Sequence, residues 1–419
     1  MIWVIIFQLF FQLYLAFLVG YLLLLTIASW NAPRKKNTTK ATPRLRFLIL
    51  IPAHNEESLL PDLLASLEKL NYPEDLFQVH VVADNCTDQT ATVVQQSHAR
   101  VYIRTDGQHL GKGYALNWLM EQLSQAGEPH DAIVFLDADS VVSPEFLQVM
   151  AARLATGENA IQAYYAVRNP EQSWAGSLRY AALAVLHFLR PLGRMALGTS
   201  AGLKGNGMVF AADLIKRYTW STSVTEDIEL HMALLLDGQR VAFAPDAVVW
   251  GEMPNKLSSS ASQHMRWEQG KKQLFRRYGP KLLHAAWKEL RAGHLKRAFL
   301  LGDAVMEFVQ PPFSVLAMAS LVSLMLSLAF FAYAVAASPG MNWVRSGGLA
   351  GLNMLLAAGL VLGQGVYLFV GLQAVSAPRQ VYFNLLNAPR LMIWKTGQML
   401  KGYLVRGQNL WIRTERNER

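Results

Sequence analysis

The sequence has only one cysteine, Cys86, in 419 residues. That excludes an intrachain disulfide and any zinc site built on cysteines. Charge is also scarce: 16% of residues are charged against 52% hydrophobic, which is apolar for a soluble enzyme and points to membrane segments. Internal repeats and low-complexity tracts are lacking, which excludes a solenoid or a disordered array. No nucleic-acid reading motif accompanies the formal net charge of +9. The basic excess therefore points to anionic lipid or an anionic substrate, not to nucleic acid.

Three long stretches carry no charge at all. They are residues 1–33, 312–338 and 346–378, each longer than the roughly 20 apolar residues a hydrocarbon core requires. They are expected to be transmembrane helices. The first has no basic n-region and its apolar run is too long for a cleaved signal peptide. Basic residues then set the orientation. Arg34, Lys35, Lys36, Lys40, Arg44 and Arg46 follow the first span, whereas the loop "SPGMNWVRS" between the other two carries only Arg345. The positive-inside rule puts residues 34–311 and the basic C-terminal tail in the cytoplasm. Residues 291–311 read as an interfacial connection. Residues 381–419 read as a basic, amphipathic interfacial helix and tail, with Pro389 near its start.

Between the first two spans the pattern alternates. "LRFLILIPAHNEE", "FQVHVVADNCTD", "ARVYIRT" and "DAIVFLDADS" read as strands. "ESLLPDLLASLEKL", "QTATVVQQSHA" and "GKGYALNWLMEQLSQ" between them read as helices. Such alternation predicts an α/β domain with a mostly parallel sheet and a ligand at the carboxyl ends of the strands. Asn55, Glu56, Asp84, Asp137 and Asp139 fall at those ends. Further on, "WAGSLRYAALAVLHFLRPLG" is interrupted by Arg179, His187 and Arg190. It reads as a helix of this domain lying near the membrane.

Asp137 and Asp139 end an apolar strand one residue apart. Carboxylates are costly there unless something positive meets them. The pair suits a hard divalent cation, Mg²⁺ or Mn²⁺, completed by water and substrate phosphates. From the residues alone, each feature also has a plainer reading. Asp139 and Ser140 before "SPEFL" suit a helix cap, and Asp84 suits a turn. Lys112 between glycines at a helix start suits phosphate, or simply solvent. "TEDIEL", with Glu226, Asp227 and Glu229, suits a charged first helical turn after a Thr cap. "QHMRW" suits an amphipathic surface helix, with His264 on the surface or in packing.

In this order, "IPAHNEE", "VVADNCTD", "GKGYALN", "LDADS", "GNGMVF", "TEDIEL" and "QHMRW" resemble the family-2 glycosyltransferases of GT-A fold. The resemblance is to the membrane-bound branch that contains cellulose, hyaluronan and poly-N-acetylglucosamine synthases, and it spans roughly residues 45–290. It implies a cytoplasmic GT-A domain, a UDP-sugar donor, a divalent metal and inverting transfer. Carried over by motif, Pro52, His54, Asn55, Glu56 and Asp84 line the uridine site, and Lys112 lies near the donor sugar or phosphates. Asp137 and Asp139 hold the metal on the diphosphate. Asp227 is the general base, with Glu226 beside it at the acceptor site. Gln263, Arg266 and Trp267 contact the diphosphate and border the acceptor. Gly205, Asn206 and Gly207 form a backbone-rich segment near the acceptor or donor sugar.

Three spans are few for a polymer channel. They favour transfer of a single sugar to a lipid or lipid-linked acceptor in the bilayer. The alternative is a processive polysaccharide synthase, which "QHMRW" favours. A scaffold with a degenerate site would not need "LDADS", "TEDIEL" and "QHMRW" all intact, and a nucleotidyltransferase would not need "TED" and "QHMRW" together.

Overall fold

The computed structural model describes residues 2–32, 44–223, 225–253, 261–337 and 342–404, with the side chains of 2–5, 261–266, 337, 342–347 and 399–404 outside that description. Of the expected features, the basic residues Arg34, Lys35, Lys36 and Lys40, the side chains of Gln263, His264, Arg266 and Arg345, residues 338–341 of the "SPGMNWVRS" loop, and the tail beyond residue 404 lie outside the described residues.

In chain order, α1 (Ile2–Trp30) precedes β1 (Phe47–Ala53), α2 (Leu60–Leu67), β2 (Phe77–Asp84), α3 (Thr90–Gln95) and β3 (Arg100–Arg104). There follow α4 (Lys112–Ala126), β4 (Ala132–Phe135), β5 (Ser140–Val142), α5 (Phe146–Ala155) and β6 (Ala160–Val167). Then come α6 (Trp174–Ala184), a π-helical turn (Val185–Leu189) and α7 (Arg190–Ala196). Next are β7 (Met208–Ala211), α8 (Ala212–Ile215), α9 (Glu226–Leu236) and β8 (Ala242–Gly251). The chain continues with α10 (Ala261–Arg291), α11 (Leu295–Val309), α12 (Phe313–Ala337), α13 (Asn342–Ala374), α14 (Arg379–Asn384) and α15 (Ala388–Leu404). The chain divides into two compact units, and one boundary falls inside α7, between Gly193 and Arg194.

The first unit is α/β. Its eight strands run in the order β3-β2-β1-β4-β7-β6-β8-β5. The half made of β3, β2, β1 and β4 is wholly parallel, as the alternating pattern predicts. The far half is mixed: β7 runs antiparallel to both β4 and β6, β8 is parallel to β6, and β5 is antiparallel to β8. Strands buried on both faces read as unbroken apolar runs. "FLILIPA" of β1 and "AIVF" of β4 fit that rule, since Ile49, Leu50, Ile51 and Val134 are all fully buried. α4 ends on Gly127 in the left-handed region at φ +67°, where glycine stops a helix without steric cost.

Ser140 opens β5, and α5 begins after Glu145. Asp139 and Ser140 therefore do not cap a helix. Residues 291–311, expected to be an interfacial connection, contain α11. Its Leu300, Leu301 and Ala304 join Met232 and Leu235 of α9 and Leu274, Tyr278 and Leu282 of α10 in one apolar cluster, so α11 belongs to the α/β unit.

The second unit holds α1, α6 with its π turn, and α12 to α15. Three of its helices, over Ile6–Trp30, Phe313–Ala336 and Gly348–Ala374, are long and apolar enough to cross a membrane. Buried polar side chains join them. Gln8 donates to Ser327 Oγ at 2.7 Å, Gln12 donates to Ser323 Oγ at 3.1 Å, and Gln12 also bonds Asn353. Such contacts hold helices together where lipid supplies no hydrophobic contrast. The stretch Pro170–Gly193 groups with these helices, whereas the sequence pattern put it in the α/β domain. Tyr367 Oη of α13 donates to the Val185 carbonyl at 3.3 Å. Gly371 lies so close that a Cβ there would sit 2.4 Å from Val185 Cγ1.

Candidate active site

Strands β2, β1 and β4 are parallel neighbours, so their carboxyl ends open on one edge of the sheet. Chain reversal at those ends leaves polar loops where a ligand is reached without disturbing the core. Pro52 lies within β1, and His54, Asn55 and Glu56 follow it. Asp84 ends β2. His54 Nδ1 is 2.7 Å from the Asp84 carbonyl oxygen. The Asn55 side chain accepts from the Thr87 backbone N–H at 2.7 Å, and the Glu56 N–H donates to Thr90 Oγ1 at 2.8 Å. Asn55 and Asn85 both take left-handed conformations, at φ +55° and +50°, which asparagine tolerates better than most residues. The residues expected at a uridine site are thus brought together by two crossing loops.

Asp84 does not stand open, however. Arg104 donates to its Oδ1 at 2.5 Å and to Asp106 Oδ2 at 2.8 Å. The β2–β3 register pairs Asp84 with Arg104 directly. Sequence reasoning missed Arg104; its place at the end of the next parallel strand was the available signal.

Asp137 follows β4, and its positive neighbour is Lys112. The ammonium at the start of α4 donates to Asp137 Oδ1 at 2.6 Å and to the Gly205 carbonyl at 2.6 Å, and lies 4.0 Å from Glu226 Oε1. Burial pulls the Lys112 ammonium down, but Asp137 and Glu226 outweigh it and leave its pKa raised. Asn206 fixes the Asp137 backbone: its Oδ1 accepts from the Asp137 N–H at 3.1 Å while its Nδ2 donates to Ser140 Oγ at 2.7 Å. Gly205 and Gly207 are left-handed, at φ +77° and +67°. At Gly207 a Cβ would lie 2.8 Å from Val249 Cγ2 and 3.0 Å from Ala163 Cβ, so no larger residue fits. The segment 205–207 is brought to the same edge as the carboxylate pair.

Among the described residues no group of three or more His, Cys, Asp and Glu side chains is arranged to hold a metal. Asp137 and Asp139 offer two carboxylates, leaving coordination positions for phosphate oxygens and water. That donor set fits Mg²⁺ or Mn²⁺, which bind through one or two carboxylates plus substrate phosphate.

Glu226 and Asp227 open α9. Thr225 sits at the N-cap, yet its side chain makes no capping bond. Burial pushes the Glu226 carboxyl up to about 8 despite Lys112, with Asp227 adding to the rise. Burial likewise raises Asp227, against the backbone N–H of Ile228 and the cations Lys204 and Lys112. A buried carboxylate with a raised pKa is a stronger proton acceptor than one in water. Glu229, two residues on, turns elsewhere and bonds Ser221, Arg277 and Tyr278.

The segment "QHMRW" lies in the first two turns of α10, and Trp267 is 42% exposed. One turn on, Gly270 abuts Thr225: a Cβ there would meet Thr225 Cγ2 at 2.7 Å and Oγ1 at 2.8 Å. The backbone carrying this motif thus runs against the N-terminus of α9. Sequence reasoning also missed Gln162 and Lys204. Gln162 grips the loop before β7 by accepting from the Lys204 N–H at 2.8 Å and donating to the Asn206 carbonyl at 2.7 Å. Both lie within or beside apolar and glycine-rich runs that give no chemical cue.

The chain is 25% identical over 254 residues to the beta-monoglucosyldiacylglycerol synthase of Synechocystis sp., covering 59% of this chain and 52% of that one. It is 23% identical over 263 residues to the poly-beta-1,6-N-acetyl-D-glucosamine synthase of Staphylococcus epidermidis, covering 61% and 60%. This chain therefore spans about half to three-fifths of the length of the curated relatives it matches. Among solved structures, the mannosyltransferase PcManGT from Pyrobaculum calidifontis in complex with GDP-Man and Mn²⁺ overlaps 86% of this chain and 97% of its own, at a TM-score of 0.49 and 17% identity. A family model described as "Glycosyltransferase like family 2" matches residues 43–270, more than half of the chain. The chain belongs to the family-2 glycosyltransferases.

Proposed function

We propose that this glycosyltransferase moves a sugar, with inversion, from a UDP-sugar to a lipid or lipid-linked acceptor at the cytoplasmic face of a membrane. The observation that carries the reading is the junction of Lys112 with Asp137, Gly205 and Glu226. It brings the strand-end carboxylate, the glycine loop and the start of α9 to one cation. The loops bearing His54, Asn55, Glu56 and Asp84 receive the uridine, beside Pro52. Asp137 and Asp139 hold the divalent metal, which when bound neutralises charge on the diphosphate. Lys112 steadies the phosphate side, and Gln263, Arg266 and Trp267 border the diphosphate and the acceptor. Asp227 takes the proton of the attacking hydroxyl as it closes on the anomeric carbon from the face opposite the leaving UDP. Single displacement inverts that centre.

The lipid acceptor is supported by the three helices able to cross a membrane and by the Synechocystis relative, whose name specifies a monoglucosyldiacylglycerol product. A processive synthase is the second reading, favoured by "QHMRW" and by the named activity of the Staphylococcus relative. The test is incubation of purified enzyme in lipid and detergent with a panel of labelled UDP-sugars, followed by organic and aqueous extraction. A discrete organic-soluble glycolipid is expected. A ladder of long water-soluble chains would establish the processive reading instead, and no incorporation from any UDP-sugar would remove both.

A further inference from the structure

Behind the proposed base lies a second charged cluster that the transfer chemistry above does not use. Arg194 is only 1% exposed. Its Nε is 3.2 Å from Asp303 Oδ2, and its Nη1 bonds Glu307 Oε2. Glu307 in turn holds the Lys204 ammonium at 3.3 Å through its other oxygen. Two cations and two carboxylates thus form a closed, buried set between the loop before β7 and helix α11. Buried charges are tolerated only when paired, and removing one member of such a pair is costly. The set therefore holds its members in one arrangement.

The loop that carries Lys204 runs past Asp227. Gly205, next in the chain to Lys204, lies so close that a Cβ there would sit 3.5 Å from Asp227 Oδ2. Left-handed Gly202, at φ +84°, lets the Lys204 side chain fold back over the loop; a Cβ there would be 3.4 Å from Nζ. Gln162 clamps the loop backbone on either side of Gly205. The Lys204 side chain is 8% exposed, so its charge acts with little screening by water.

We propose that Lys204 is a positioning residue for the base. Tethered by Glu307 in the loop whose next residue, Gly205, packs against Asp227, its buried charge keeps the Asp227 carboxylate ionised without a direct ion pair. The inference rests on Asp227 being the base. Lys204 and Lys112 both act on Asp227 against the effect of burial. Other charged and titratable groups surround this pair. Glu226 adjoins it on the same helix, with Asp137 beyond Lys112. Asp303 and Glu307 stand behind Lys204 on α11, with Arg194 from α7. His231, one turn along α9, is pushed down to about 3 by burial and by Arg194 and Lys204, with Glu307 opposing, and bonds Ser200 Oγ at 2.9 Å. It stays neutral across the working range and adds no charge.

The test compares Lys204→Met, Lys204→Arg and Asp227→Asn in the full-length protein, by kcat and KM for the UDP-sugar across pH, with thermal melting as a control for folding. Lys204→Met keeps the aliphatic stem and leaves Glu307 paired with Arg194. It is expected to move the acid limb of the kcat profile up by about one pH unit, which is about a tenfold loss of kcat on that limb. KM should stay within about threefold and kcat should recover at high pH, whereas a purely structural defect would lower kcat at every pH. Lys204→Arg should restore the limb. A limb that does not move in a folded Lys204→Met protein overturns the inference. If Lys204→Met fails to fold, Lys204→Arg decides, since a kcat loss beyond about tenfold in that charge-preserving variant counts against it. Asp227→Asn separates the two readings: substantial turnover in that variant removes the base itself, while an inactive Asp227→Asn with an unmoved Lys204→Met limb removes only the role of Lys204.

Discussion

Lys112 Nζ lies 2.6 Å from Asp137 Oδ1 and 2.6 Å from the carbonyl oxygen of Gly205. One ammonium thus ties the end of β4 to the loop before β7. An arginine, with its planar and longer fork, would not fit between these two oxygens. Lys112→Ala and Lys112→Arg are therefore both expected to lower kcat/KM for the UDP-sugar by about 100-fold, the scale of losing one preorganised charge partner. Steady-state kinetics on folded variants check this, and near-normal activity in Lys112→Arg would contradict it.

Metal dependence follows from the carboxylate pair at the end of β4. Excess EDTA is expected to stop transfer, and added Mg²⁺ or Mn²⁺ to restore it. Asp137→Asn and Asp139→Asn should each cost at least about 100-fold in rate and weaken calorimetric UDP binding in the presence of metal, without changing the melting profile. Full activity in EDTA would end this assignment.

Asp227 and Glu226 are neighbours with different expected roles. Asp227→Asn should keep KM for the donor and lose about 10³-fold or more in kcat, because proton transfer occurs only in the transition state. Glu226, pushed up to about 8 by burial, holds its proton more readily than an ordinary glutamate, so Glu226→Gln should retain turnover within about tenfold. Reversed results would exchange the two roles.

Gly270 has no room for a side chain, since a Cβ would meet Thr225 at 2.7 Å. Gly270→Ala should separate the start of α10 from the N-terminus of α9. Overpacking of this kind costs about 1–3 kcal/mol. A lower melting temperature together with a fall in kcat is expected, and an unchanged protein would show that the contact is slack.

His80 is fully buried on β2, and neither ring nitrogen has a hydrogen-bond partner. Burial, with Arg100 next, lowers its pKa to about 4 from an ordinary value of 6.5. Between those values the unfolded chain takes up a proton that the folded one refuses, so stability is lost as pH falls from 6.5 towards 4. The loss amounts to about 3 kcal/mol at most. His80→Phe should flatten the decline in melting temperature from pH 7 to pH 4.5, and an unchanged slope would place the acid sensitivity elsewhere.

Some of this protein is determined by sequence alone. The runs "FLILIPA" and "AIVF" must be buried on both faces, and the uncharged stretches must find an apolar setting, because hydrophobic periodicity is a local property of the chain. The aspartates at 84, 137, 139 and 227 were legible because polar residues at the ends of apolar elements are chemically conspicuous. Tertiary structure alone decided what those residues meet. Asp84 meets Arg104 because parallel register sets two strand ends side by side, and Asp137 meets Lys112 because α4 starts over the end of β4. Lys204, Glu307 and Arg194 are separated by up to 113 residues, and nothing in their local sequence marks them as a set. The helical stretch Trp174–Ala184 shows the same limit. Its apolar content announces burial, but which apolar surface it meets depends on contacts between segments nearly two hundred residues apart, and no local pattern encodes those.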